Sequence, residues 1–163
     1  MIDAEMRAAA TRLLEACRRE HLKLALAESC TGGLVAATLT EIPGSSQVVD
    51  RGYVTYSNQA KESALGVPAE TLKRFGAVSA EVVRAMVEGT LAKSGADLAV
   101  AITGIAGPGG GSAEKPVGLV HFAAARRGGR VLAREIRFGD LGRTEVRRRS
   151  VLEALKLAGE LIR

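Results

Sequence analysis

Aromatic side chains are scarce: the 163 residues include three Phe, two Tyr and no Trp. With 47% hydrophobic residues, the core must be built from Ala, Val, Leu and Ile. The stacking platforms that hold single-stranded nucleic acid are mostly missing, so no nucleic-acid partner is expected. There are two histidines and two cysteines, Cys17 and Cys30, with no CxxC spacing. That is too little for a usual zinc set and unlike a disulfide framework, so neither a metal nor a cofactor is expected. Long apolar runs are also absent from the N-terminus, where Asp3, Glu5, Arg7, Arg12, Glu15, Arg18 and Arg19 interrupt residues 1–22. Such a segment is neither a signal peptide nor a membrane span, and a cytoplasmic protein without a membrane partner is expected. No stretch reads as a linker, so one domain over residues 1–163 is expected.

The formal charge of +5 bears on solubility and steering rather than on fold. Its dense runs are Arg126, Arg127 and Arg130 around Gly128-Gly129, and Arg143 with Arg147, Arg148 and Arg149. Met6, Ala10, Leu13, Leu14 and Cys17 fall at helical spacing. A short strand, Lys23 to Glu28, leads through Ser29-Cys-Thr-Gly-Gly33 into an Ala-rich helix stopped by Pro43-Gly44. Val48 to Tyr56 reads as a second strand with a bulge or bend at Asp50-Arg-Gly52. Short helices over Asn58 to Leu65 and Ala69 to Phe75 precede a longer one capped by Ser79. Ala96 to Thr103 is a buried strand followed by the glycine-rich Gly104 to Ser112. Val117 to Ala125 and Val131 to Phe138 form a hairpin, and a last helix begins at Arg143. The pattern predicts an α/β fold, a three-layer α/β/α sandwich with a mixed β-sheet.

Ser29 stands where a strand turns into a helix, a place where unpaired N–H groups welcome an oxyanion. The N–H groups of Cys30 and Thr31 are candidates for an oxyanion hole, and Gly32 and Gly33 let the backbone approach a substrate. The same placement suits an ordinary N-cap at Ser29 or Thr31, and spacing alone favours the cap. The G-x-S-x-G elbow is absent, and Gly32 stands where S-x-x-K needs lysine. With only His21 and His121 available, a serine nucleophile would turn to a lysine base. Lys61, preceded by Tyr53, Tyr56, Ser57 and Asn58, is the attractive one if burial and a neighbouring cation lower its pKa. Gly104 to Ser112 fails both the P-loop and the G-x-G-x-x-G pattern, leaving an anion nest, a substrate wall or a plain surface loop. Thr103 faces the site or caps the turn. Arg143 and Arg147 share a helix face and together suit one phosphate, unless that face is simply solvated. Cys30 reads as a packing residue rather than a rival nucleophile.

These segments, Ala27-Glu-Ser-Cys-Thr-Gly-Gly33, Pro43-Gly-Ser-Ser46, Gly52-Tyr-Val-Thr-Tyr-Ser-Asn58 with Lys61, Leu65-Gly-Val67, Gly76-Ala-Val-Ser79, Thr103 to Gly111 and Lys115-Pro-Val-Gly118, together resemble the CinA C-terminal domain family. The resemblance runs from about Leu24 to the end. It implies a nicotinamide-nucleotide amidohydrolase of NAD salvage, converting nicotinamide mononucleotide and water to nicotinate mononucleotide and ammonia without a metal. It also implies Ser29 as nucleophile, Lys61 as base, and Tyr56 assisting proton transfer or holding Lys61. Cys30, Thr31, Gly32, Thr103, Gly104 and Arg143 would contact the substrate, in a homodimer. Tyr53 or Glu28 would favour the cationic ring unless either is structural. Ser112, where threonine is expected, keeps the hydroxyl. The chain looks like the stand-alone form without the large N-terminal domain of some relatives. The rival implication is a nucleotide-binding regulatory module linked to competence or recombination that turns nothing over.

Overall fold

The computed structural model describes residues 1–162. Five strands form one sheet: β1 (Leu24–Glu28), β2 (Val49–Val54), β3 (Leu98–Gly104), β4 (Leu119–Arg126) and β5 (Val131–Arg137), in the order β2-β1-β3-β4-β5. β1 runs parallel to β2 and β3, whereas β4 is antiparallel to both β3 and β5. The sheet is therefore mixed, as the sequence predicts. Between Leu24 and Ala25 the β2 partner jumps from Val49 to Arg51, so Asp50 is the extra residue of the expected bulge.

Among the described residues six α-helices cover the sheet: α1 (Ala4–Arg19), α2 (Leu34–Thr40), α3 (Asn58–Leu65), α4 (Ala69–Phe75), α5 (Ala80–Lys93) and α6 (Arg143–Glu160). Strand residues alternate between faces, and Leu98-Ala-Val-Ala-Ile102 alternates large with small. Leu24, Leu26, Leu98, Val100, Ile102, Val120 and Phe122 pack with α1, α2 and α6. Ala27, Ala99, Ala101, Ala123 and Ala125 pack with the core of α3, α4 and α5. The alanine face lets α5 lie close to the sheet, which is how a core nearly free of aromatics closes.

Caps fix several helix starts. Asp3 accepts from Met6 N at 2.8 Å, Ser57 from Ala60 N at 3.0 Å, and Ser79 from Val82 N at 3.2 Å, each satisfying a donor the helix leaves open. The basic runs find internal partners. Arg127 donates to the carbonyls of Leu91, Ser94 and Ala96 past the end of α5, while Arg126 and Arg130 reach Leu161 and Glu160 carbonyls at the end of α6. Arg148 meets Asp3, Glu5 and Glu145, and Arg134 meets Glu153 and Glu160. Among the described residues no helix is long and apolar enough to cross a membrane.

One close packing contact governs the helix that carries Lys61. A methyl group placed on Gly89 of α5 would lie 1.9 Å from the Leu65 carbonyl oxygen at the end of α3. Gly89→Ala is therefore expected to destabilise the fold by about 1–3 kcal/mol, because an overpacked contact must push the two helices apart. A thermal melt checks this, and an unchanged midpoint would show that α3 yields freely.

Candidate active site

Glu28 ends β1 and Ser29 follows it, with their side chains on opposite faces of the sheet: Glu28 meets α2 and Ser29 meets Lys61 of α3. Ser29 N–H donates to the Ile102 carbonyl at 3.0 Å, which holds it beside the end of β3. The ends of parallel strands are where open α/β sheets place ligands. A cleft of about 270 Å³ opens there, lined by Ser29, Cys30, Tyr56, Lys61, Thr103 and Arg143 together with the 77–78 and 104–110 loops. That volume lies near the low end for small-molecule sites.

Lys61, on the sheet-facing side of α3, is 1% exposed. Its Nζ lies 3.1 Å from Ser29 Oγ and 2.8 Å from the Thr55 carbonyl oxygen. Among the described residues no carboxylate comes within ion-pair distance of it. Burial therefore drives the Lys61 pKa below the usual lysine value, with the nearby Cys30 opposing weakly. An ammonium has three donors and would find two acceptors here. A neutral amine would donate to Thr55 and offer its lone pair to the Ser29 hydroxyl, leaving one N–H over just as the ammonium does, and it is burial that favours the neutral form. Burial lowers the pKa without help from the neighbouring cation that was expected.

The helix cap favoured by spacing is not what forms. Ser29-Cys30-Thr31 make a turn with the Gly32 N–H on the Ser29 carbonyl, and Gly32 and Gly33 have φ of +58° and +98°. Only glycine adopts such backbone freely, so this pair is explained by the turn itself. At the start of α2 the Leu34 N–H donates to the Thr31 carbonyl, while the Glu28 carboxylate accepts from Gly33, Val35 and Ala36. The N–H groups of the helix start are consequently taken and not free to meet an anion. Cys30 and Thr31 N–H groups, by contrast, have no backbone partner among the described residues.

Several expected contacts are redirected. Tyr56 is 59% exposed, and its hydroxyl pairs with Arg143 Nη2 at 2.7 Å rather than with Lys61. The group that holds Lys61 is the Thr55 carbonyl one residue earlier. Arg143 Nη1 also donates to the Gly107 carbonyl at 2.9 Å. Arg147 turns away from the cleft and gives Nη2 to the Thr31 carbonyl at 2.9 Å, so the two arginines do not converge on one phosphate. Thr31 is fully buried, and neither it nor Gly32 lines the cleft. Tyr53 donates its hydroxyl to the Lys93 carbonyl at 3.1 Å, and Glu28 is committed to α2, so both are structural rather than partners for a cationic ring.

Thr103 lines the cleft and donates from Oγ1 to the Ala77 carbonyl at 2.8 Å, tying β3 to the opposite wall. Gly104 and the glycine-rich loop are a wall of the site. Ser112 accepts from Lys115 N at 3.0 Å, and Lys115 Nζ donates to the Phe75 carbonyl, which latches the loop to α4. Burial pushes the Cys30 thiol up to about 12, leaving no thiolate to rival Ser29 near neutral pH. His121 is buried, sits opposite Thr103 and Glu135 in the sheet, and is absent from the cleft lining.

The fold is a mixed α/β/α sandwich that sets a buried amine against a serine at the ends of its parallel strands. The model of the CinA C-terminal domain matches residues 6–162, and the chain belongs to that family. It is 60% identical over 111 residues to a CinA-like protein of Akkermansia muciniphila, covering 68% of this chain and 27% of that protein. It is 54% identical over 133 residues to the nicotinamide-nucleotide amidohydrolase PncC of Enterobacter agglomerans, covering 81% of this chain and 80% of that one. The chain thus spans about a quarter of the length of the CinA-like and competence-damage inducible relatives. Among solved structures, the competence/damage inducible protein CihA from Agrobacterium tumefaciens superposes with a TM-score of 0.98 at 53% identity, covering 100% of this chain and 99% of that one. A competence or damage-inducible protein from Enterobacter asburiae gives 0.91 at 32% identity over 97% and 98%.

Proposed function

We propose that this chain hydrolyses the amide of nicotinamide mononucleotide, giving nicotinate mononucleotide and ammonia, with Ser29 as nucleophile and Lys61 as its base. The observation that carries the reading is the 3.1 Å contact between Ser29 Oγ and a buried amine. The relative named as a nicotinamide-nucleotide amidohydrolase, matched over most of both chains, supports the substrate.

The Lys61 lone pair takes the Ser29 proton as Oγ attacks the carboxamide carbon, an electrophile made stronger by the pyridinium ring. The N–H of Cys30, which lines the cleft, meets the oxyanion. The tetrahedral centre collapses, the C–N bond breaks, and Lys61 returns the proton to departing ammonia. Water then attacks the acyl ester with Lys61 again as base, releasing the carboxylate and restoring the Ser29 hydroxyl.

Arg143 heads α6, where free helix N–H groups also favour an anion, and its hydrogen bonds to Gly107 and Tyr56 hold the guanidinium at the cleft mouth. It is the group for the substrate phosphate. Arg143→Ala is expected to raise KM for nicotinamide mononucleotide about 10–100-fold, the worth of a charge-assisted contact, with a smaller change in kcat. Arg143→Lys should recover little, because a lysine cannot keep both fixed partners and still present a fork. Initial rates of ammonia release test this and the reading together. A wild-type chain that releases no ammonia from this nucleotide would refute the activity, and an unchanged KM in Arg143→Ala would move the phosphate elsewhere.

A further inference from the structure

We infer that Glu28 is a positioning residue: its buried carboxylate keeps Ser29 a nucleophile by occupying the helix start that Ser29 or Thr31 would otherwise cap. The inference rests on Ser29 being the reacting group. Glu28 is 1% exposed and forms no ion pair among the described residues. Oε2 accepts from Gly33 and Val35 N–H, each at 3.1 Å, and Oε1 from Ala36 N–H at 2.9 Å. Three donors of one helix start thus converge on the two oxygens of one buried carboxyl group.

Without that carboxylate those N–H groups would lie unpaired, and Val35 is fully buried. Serine and threonine are the usual residues to satisfy them. Thr31 is fully buried and its Oγ1 has no partner among the described residues, so an alternative cap stands beside the helix already. Any such rearrangement of residues 29–33 would draw Ser29 off the Lys61 Nζ. The base is joined to the same point, because Thr55 N–H donates to the Glu28 carbonyl at 2.8 Å while the Thr55 carbonyl accepts from Lys61. Glu28 itself is outside the cleft lining, so it acts through the turn and not on substrate.

The test compares wild type, Glu28→Gln and Glu28→Ala, each normalised to folded protein by circular dichroism. Two rates are read: kcat and KM with nicotinamide mononucleotide, and labelling of Ser29 by an aryl fluorophosphonate. Glutamine keeps the volume but turns an N–H donor toward the helix donors. It is expected to lower kcat about 10–100-fold with KM within threefold, and to slow labelling in the same proportion, with alanine slower still. Equal labelling in wild type and Glu28→Gln, none in either included, would overturn the inference. So would a rise in KM at unchanged kcat, or a Glu28→Gln chain that does not fold. A wild type that is labelled but inert toward the nucleotide, with labelling slowed in Glu28→Gln, would sink the substrate reading and leave Glu28 standing.

Discussion

Lys61→Met is expected to lose about a thousandfold in kcat while melting within a few degrees of wild type. The loss is large because the amine serves twice, taking the proton from Ser29 and delivering it to ammonia, and general base catalysis alone is worth about 10²–10⁴-fold. The small change in stability comes from two opposed effects. Methionine leaves the Thr55 carbonyl without its donor, which costs about 1–3 kcal/mol. It also removes a buried amine, a group whose burial is itself unfavourable. The pH dependence separates the two. Burial lowers the folded-state pKa of Lys61 below its ordinary 10.5, so between those two values the unfolded chain binds the extra proton. Wild-type stability therefore rises with pH in that window relative to Lys61→Met, and the difference is flat above 10.5. Activity follows the same group: kcat/KM should climb as Lys61 loses its proton, with a midpoint below that of an ordinary lysine, and the variant should lack that limb. Thermal melts and rates measured across alkaline pH check both signs.

Ser29→Ala is expected to lose at least a thousandfold in kcat with substrate affinity nearly intact, since no other nucleophile stands ready at the same place. Cys30, its neighbour, keeps its proton near neutral pH. The hydroxyl makes one hydrogen bond, to Lys61, so its removal should cost only about 1 kcal/mol of stability. Retained binding with lost turnover assigns the serine to the chemical step. Equal ammonia release by wild type and Ser29→Ala would instead place catalysis on another group and favour the regulatory reading of the chain.

The order of strands and helices was legible because each signal is local. Alternation in Leu98-Ala-Val-Ala-Ile102, glycine and proline at the turns, and Ser79 before an apolar stripe all act within a few residues. The serine-lysine pair was not legible from spacing, because Ser29 and Lys61 are 32 residues apart and meet only when α3 packs on the alanine face. Resemblance to a family supplied it. Glu28 escaped because its cap runs from the end of a strand across a left-handed glycine turn, a pattern unlike the local S/T-x-x-E signature. Arg147 escaped for another reason: its partner, the Thr31 carbonyl, is 116 residues away, and helix periodicity shows which face a side chain shares but not what that face meets. The arginines around Gly128-Gly129 read only as a basic run at a hairpin, because their partners at the ends of α5 and α6 lie about 30 residues or more away.

The most direct measurement is rapid acid quench of the wild-type chain with nicotinamide mononucleotide, followed by mass spectrometry of its peptides. An adduct of the substrate less ammonia, carried by the peptide containing Ser29 and absent from Ser29→Ala, is the expected result. Steady ammonia release with no such adduct at any quench time, and undiminished in Ser29→Ala, would contradict the serine-lysine mechanism.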